Sequence, residues 1–236
     1  MDPELYLRVR EKEGRLYSDG VVAQLPFIPG DHPLAGEWRA RSASAQRLVG
    51  YLSSFQKPRL ILDLGCGNGW LSNVLAEAGH TVIGSDQNLY ELKQAARVFR
   101  SNSKLSFLES DIFSAPFASG LFDVIILASV LQYFSDASSL ISVLLSYLKT
   151  QGEIHILDTP LYAENKLEEA KLRSNRHYTS LGFPEMSAHY FHHSASYLEA
   201  LHSKKLYTPR PLTLRLKRWI GQVDSPFLWV VIRKQS

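Results

Sequence analysis

Cysteine is almost missing from this chain: Cys66 stands alone among 236 residues. A lone thiol excludes an intramolecular disulfide. Excess charge is missing too. The 26 basic and 23 acidic residues leave a net charge of +3, which implies neither a nucleic-acid platform nor a polybasic membrane anchor. No apolar run reaches the roughly 20 residues of a membrane span. The N-terminus, MDPELYLRVREKEGR, is charged and has no signal-peptide core. Internal repeats and low-complexity tracts are also absent. These absences predict a cytoplasmic protein with no membrane partner and no nucleic-acid partner. No feature assigns an oligomeric state.

What is present is globular in kind, with 45% of residues hydrophobic and 21% charged. The length suits one domain with one sizeable core and an appended segment. Residues 1 to about 36 carry the turn signals SDG and PFIPGDHP and predict a helix-poor lead. The lead is rich in large apolar residues, so it is expected to pack over something. A helical pattern runs from Glu37 to Phe55 and ends at Lys57-Pro58.

The chain then centres on Arg59 to Ser72, RLILDLGCGNGWLS. Leu60-Ile61-Leu62 suits a strand buried on both faces. The run breaks at Gly65, Gly67 and Gly69 and resumes as a helix. A strand, a glycine turn and a helix start together let a ligand approach the backbone and meet unpaired N–H groups. Cys66 fills a place there that needs a small side chain. Beyond it, strands are expected at His80–Ser85, Leu105–Glu109, Phe122–Leu127 and Glu153–Leu157, with helices between them. This rhythm predicts an α/β fold with a doubly wound, mostly parallel sheet and helices on both faces. Asp63, Gly65, Asp86, Asp111 and Ala128-Ser129 all fall at strand carboxyl ends, where such sheets bind ligands.

The run Asp63-x-Gly65-x-Gly67-x-Gly69 resembles the first motif of the class I S-adenosylmethionine-dependent methyltransferases, D/E-x-G-x-G-x-G. VIGSD ending at Asp86 and LSFLESD ending at Asp111 agree with that family, and the resemblance covers about Arg59 to Pro160. It implies a seven-stranded Rossmann-like sheet whose last strand, in PFLWVVIRK, runs antiparallel beside a strand near Leu206 to Thr213. It implies S-adenosyl-L-methionine as cofactor, S-adenosyl-L-homocysteine as product and a small-molecule acceptor. Asp63, Gly65, Cys66 and Gly67 would form the cofactor loop. Asp86 would hold the ribose hydroxyls, as a strand-end acid that ties no core together, with Gln87 against the adenine. Asp111 and Ile112 would read the adenine, and Ala128, Ser129 and Tyr133 would face the methyl donor. Arg41 and Arg47, on the helix before the loop, would meet the cofactor carboxylate.

His189 and His192, in H-Y-F-H-H, are candidates for a general base beside Tyr133. Their spacing does not favour a metal. The basic residues from Lys204 to Arg218 read as a solvated face. Residues 1–57 are expected to form an N-terminal lid and helical segment, 58–160 the cofactor core, and 161–236 the acceptor-pocket segment and closing strands of one domain. Rival readings are another transfer from the same cofactor, a nicotinamide oxidoreductase, and a cofactor-binding protein without turnover. The G-x-G-x-G spacing argues against the nicotinamide reading.

Overall fold

The computed structural model describes residues 2–201, 203–219 and 221–234. The lead is helical, which corrects the helix-poor expectation. Helix α1 spans Pro3–Lys12, and its start is well specified. Asp2 accepts the Glu4 N–H at 3.0 Å, and Pro3 opens the first turn, where its missing N–H costs nothing. Arg10 and Lys12 lie in the last turn, where cations complement the helix dipole. The short α2 spans Asp19–Val22 and α3 spans Ala35–Leu52.

Strands and helices then alternate: β1 Leu60–Leu64, α4 Trp70–Glu77, β2 Thr81–Asp86, α5 Leu89–Val98, β3 Leu105–Glu109, β4 Phe122–Ala128, α6 Ala137–Tyr147 and β5 Leu148–Leu157. After β5 come β6 (Leu161–Tyr162), α7 (Leu167–Leu181), β7 (His193–Ser194), α8 (Ala195–Ala200), β8 (Lys204–Tyr207), α9 (Pro211–Trp219) and β9 (Trp229–Arg233). The seven-stranded sheet has the order β3-β2-β1-β4-β5-β9-β8. Strands β3 through β5 pair in parallel, and β9 runs antiparallel to both its neighbours. The last strand is therefore antiparallel, as the resemblance implies. Its partner β8 stops at Tyr207, short of the expected Thr213. Pro209 and Pro211 have no N–H to give a ladder, and Pro211 starts a helix instead.

Alternation along the strands separates two cores. Ile61, Val82, Val124 and Ile126 pack against Leu48 and Leu52 of α3 and Leu71 and Leu75 of α4. Leu62, Ile125, Leu127 and Ile154 face the other way, onto Leu140, Ile141 and Leu144 of α6. A strand buried on both faces reads as a continuous apolar run, as Val124–Leu127 does. Strand order reverses between β1 and β4, and the carboxyl ends of these strands open a crevice there.

Candidate active site

The loop after β1 is built by glycine conformation and tied down by β2. Gly65 and Gly67 sit at φ +71° and +52°, a region costly for residues with a Cβ. A Cβ on Gly65 would also lie 2.2 Å from the Val130 side chain. The N–H groups of Gly65 and Cys66 donate to the Ser85 carbonyl at 2.7 and 3.1 Å. The Gly67 N–H donates to Asp86 Oδ2 at 2.8 Å, and the Asn88 N–H to Oδ1 at 2.9 Å. Asp86 thus fastens the glycine loop to the start of α5. This corrects the expectation that its side chain only faces a ligand. Each carboxylate oxygen keeps a further lone pair for a donor from the crevice.

Two more acids sit beside it. Asp63 is buried at the end of β1 and accepts the Ser72 hydroxyl at 2.6 Å. Burial pushes its pKa up to about 7. Glu91, on the first turn of α5, is also raised to about 7, by burial and then by the Asp86 charge. Burial raises Asp86 itself, against the hydrogen bonds from Asn88 and Gly67. Burial likewise holds the Cys66 thiol well above its ordinary range, so it stays protonated.

Helix α1 forms the opposite wall. Tyr6 lies beside the Glu91 carboxylate, and its ring meets Tyr133 edge-on with centroids 5.8 Å apart. Arg10 donates to the Tyr133 hydroxyl at 2.9 Å and to Glu13 at 3.2 Å. Burial opposes the Arg10 charge, but Tyr133, Tyr6 and Glu13 together hold its pKa well above the usual value. A second cluster lies along α3. Arg15 grips Glu37 with two bonds of 2.7 Å, and Arg41 Nε donates to the same carboxylate at 3.0 Å. Burial works against the Glu37 charge, yet the two arginines lower its pKa to about 2. The far nitrogen of Arg41 stands 3.4 Å from Ser129 Oγ. Ser129 closes β4 at φ +59°, a conformation non-glycine residues hold at some cost.

These walls enclose a cavity of about 490 Å³, within the roughly 300–1,000 Å³ usual for small-molecule sites. It brings together the expected Asp63, Gly65, Cys66, Gly67, Asp86, Gln87, Asp111, Ile112, Ala128, Ser129, Tyr133, Arg41 and His189. Asp111 caps the turn at Ile112–Ser114 and accepts the Phe113 N–H at 3.0 Å.

Two expected residues do not reach the cavity. Arg47 turns away to pair with Asp224 and lies over the Tyr207 ring at 3.9 Å. His192 bonds Ser174 Oγ at 2.9 Å, between the rings of Tyr162 and Tyr190. Asp224 and Tyr207 for Arg47, and Ser174 and Tyr162 for His192, lie on segments that the local sequence pattern does not bring near them. Among the described residues, no three His, Cys, Asp or Glu side chains gather as a metal-holding group.

The reading of the sequence missed Tyr6, Arg10, Trp38 and Glu91, which all line the cavity. A signal for Glu91 existed. It sits three residues after Asn88, which caps α5, and so lies on the turn that faces the loop.

A family profile described as "Methyltransferase domain" matches residues 62–156. The chain is 27% identical to a malonyl-[acyl-carrier protein] O-methyltransferase of Halalkalibacterium halodurans, over 58% of this chain and 54% of that protein. It is 30% identical to a demethylmenaquinone methyltransferase of Thermus thermophilus, over 52% and 54%. The chain thus spans about half the length of these curated relatives. The solved structure of a geranyl diphosphate methyltransferase, in complex with GPP and sinefungin, superposes with a TM-score of 0.63 at 17% identity, covering 84% of this chain and 78% of that one. At that identity the likeness speaks for the fold. Domain match, sheet order and glycine loop agree: residues 62–156 carry a methyltransferase domain of the class I, Rossmann-like, S-adenosylmethionine-dependent kind.

Proposed function

We propose that this protein transfers a methyl group from S-adenosyl-L-methionine to a small-molecule acceptor. One observation carries the reading. A single cavity joins a polar wall of loop backbone and carboxylates to an aromatic wall of Tyr6, Tyr133, Phe134 and Phe191. The donor set suits such a cofactor: Asp86 keeps lone pairs for ribose hydroxyls, and Asp111 with the Ile112 backbone suits an adenine edge. Arg41, beside Ser129, is a fitting partner for the cofactor carboxylate. When bound, the cofactor supplies a methyl group already activated on a sulfonium.

The task left to the protein is to align an acceptor and exclude water. Positioning of this kind supplies up to about 7–11 kcal/mol of a barrier. Tyr133, oriented by Arg10, and His189 are the side chains we assign to the acceptor. His189 is the candidate to take a proton from an acceptor hydroxyl. Helix α1 is assigned as the cover of the site. The relatives' names, a malonyl-[acyl-carrier protein] and a demethylmenaquinone enzyme, support a small organic acceptor group.

Thermal unfolding tests the reading. S-adenosyl-L-homocysteine at a hundred times its Kd is expected to add about 2.7 kcal/mol of stability, and NADH to add none. A shift with NADH and none with S-adenosyl-L-homocysteine would remove the proposal. With an acceptor present, the product must be S-adenosyl-L-homocysteine. Methylthioadenosine would instead identify aminopropyl-type transfer.

A further inference from the structure

Away from the cavity, we infer that helix α9 docks this protein onto an anionic lipid bilayer. Leu212, Leu216 and Trp219 stand at positions i, i+4 and i+7, which share one stripe of a helix. They are 74%, 65% and 90% exposed. Trp219 and Leu212 are the two most exposed large apolar side chains among the described residues. Scattered single leucines need no partner, but an aligned stripe does. A tryptophan at its end suits the headgroup level of a membrane.

The surrounding charge selects the occupant. From Leu201 to Val223 the chain has six basic residues and no acidic one. The whole chain has only 26 basic residues against 23 acidic, so everything outside this stretch is acidic on balance. The small net charge hides this concentration. Arg215 is exposed beside the stripe, and Lys204, Lys205 and Arg210 are exposed on β8 and the turn after it. Lys217 points the other way and holds Asp224 at 2.5 Å, so the inner side of α9 is anchored. The Arg47–Asp224 pair ties the same loop to α3.

An apolar stripe edged by cations is the pattern of a helix lying in a membrane interface. A second copy of this chain would bring like charges face to face. A nucleic acid would leave the leucines unburied.

Topology places α9 on the cavity's side of the sheet. Strand β8 runs with β5, and β9 returns against both. Residues 208–219 and 221–228 therefore lie toward the carboxyl ends of the parallel strands, the same edge of the sheet as the cavity. Three strand steps separate β8 from β4, about 14 Å at the usual spacing. The docking does not depend on methyl transfer.

Co-sedimentation of the full chain with vesicles tests the inference. Phosphatidylcholine vesicles with about a third of phosphatidylglycerol should carry the protein down, and phosphatidylcholine alone should not. Leu216→Glu with Trp219→Glu should weaken binding about tenfold or more, with melting temperature and circular dichroism unchanged because the stripe is exposed. Trp219→Phe should keep the binding and lose the blue shift of tryptophan fluorescence. Wild type left in the supernatant would overturn the inference, and so would undiminished binding by the double variant. A wild-type dimer that the double variant turns into a monomer would assign the stripe to a second copy instead.

Discussion

Asp86 carries two duties in one carboxylate. It accepts the Gly67 and Asn88 N–H groups at 2.8 and 2.9 Å, and it faces the cavity we assign to the cofactor. Asp86→Ala should therefore act on both folding and binding. Two part-buried donors lose their acceptor, and a donor left alone away from water costs up to about 1–3 kcal/mol. Removal of a buried acid gives some of this back, so a net loss of about 2 kcal/mol is expected in denaturant unfolding of the ligand-free protein. Affinity for S-adenosyl-L-homocysteine should fall by tens-fold or more, since each charge-assisted bond to the ribose is worth about 1.5–3 kcal/mol. An unchanged unfolding midpoint would mean the loop does not lean on this side chain. A full ligand response would mean the ribose sits elsewhere.

At the scale of elements, α1 decides whether the cavity has a roof. It contacts the rest of the protein through Leu5 and Val9, which pack with Tyr178 and Met186, through the Tyr6 ring on Tyr133, and through the Arg10–Tyr133 bond. Neither core face of the sheet includes it. Deletion of residues 1–16 should leave a cooperatively folding protein with S-adenosyl-L-homocysteine binding weakened and methyl transfer lost. Turnover at the wild-type rate by the truncated chain would end the assignment of α1 as cover.

The signals for this helix were present in the sequence: Asp2 at the cap, Pro3 behind it, Leu5 and Val9 four apart, and Gly14 after the end. The turn signals at 18–20 and 26–33 begin only after α1 has ended and say nothing of the residues before them. What α1 touches was not legible, because Arg10 and Tyr133 are 123 residues apart and no local pattern links them. Strands β1 to β5 were legible for the opposite reason. Burial of β1, β2 and β4 writes itself as short apolar runs, and each of these three ends on a residue of the crevice.

For the whole molecule, buried titrating groups in two regions pull stability in opposite directions with pH. In the crevice, burial raises Asp63 and Glu91 to about 7. The folded protein then holds protons that the unfolded chain releases near pH 4, so stability falls as pH rises from about 4.5 to 7. Under the far strands the sign is reversed. The Trp229 indole N–H donates to His155 Nδ1 at 3.1 Å. The His155 proton is therefore on Nε2, 3.2 Å from Glu153. Burial lowers the His155 pKa below its usual value of 6.5. The unfolded chain takes up this proton first, so stability is lost as pH falls below about 6.5. Urea midpoints measured between about pH 4.5 and 7 should separate the two regions. Glu91→Gln should make the slope of stability against pH more positive, by up to about 3 kcal/mol across the window. His155→Asn should make it more negative. If Glu91→Gln leaves the slope untouched, Glu91 titrates normally in the folded protein, and the crevice is wetter than its geometry implies.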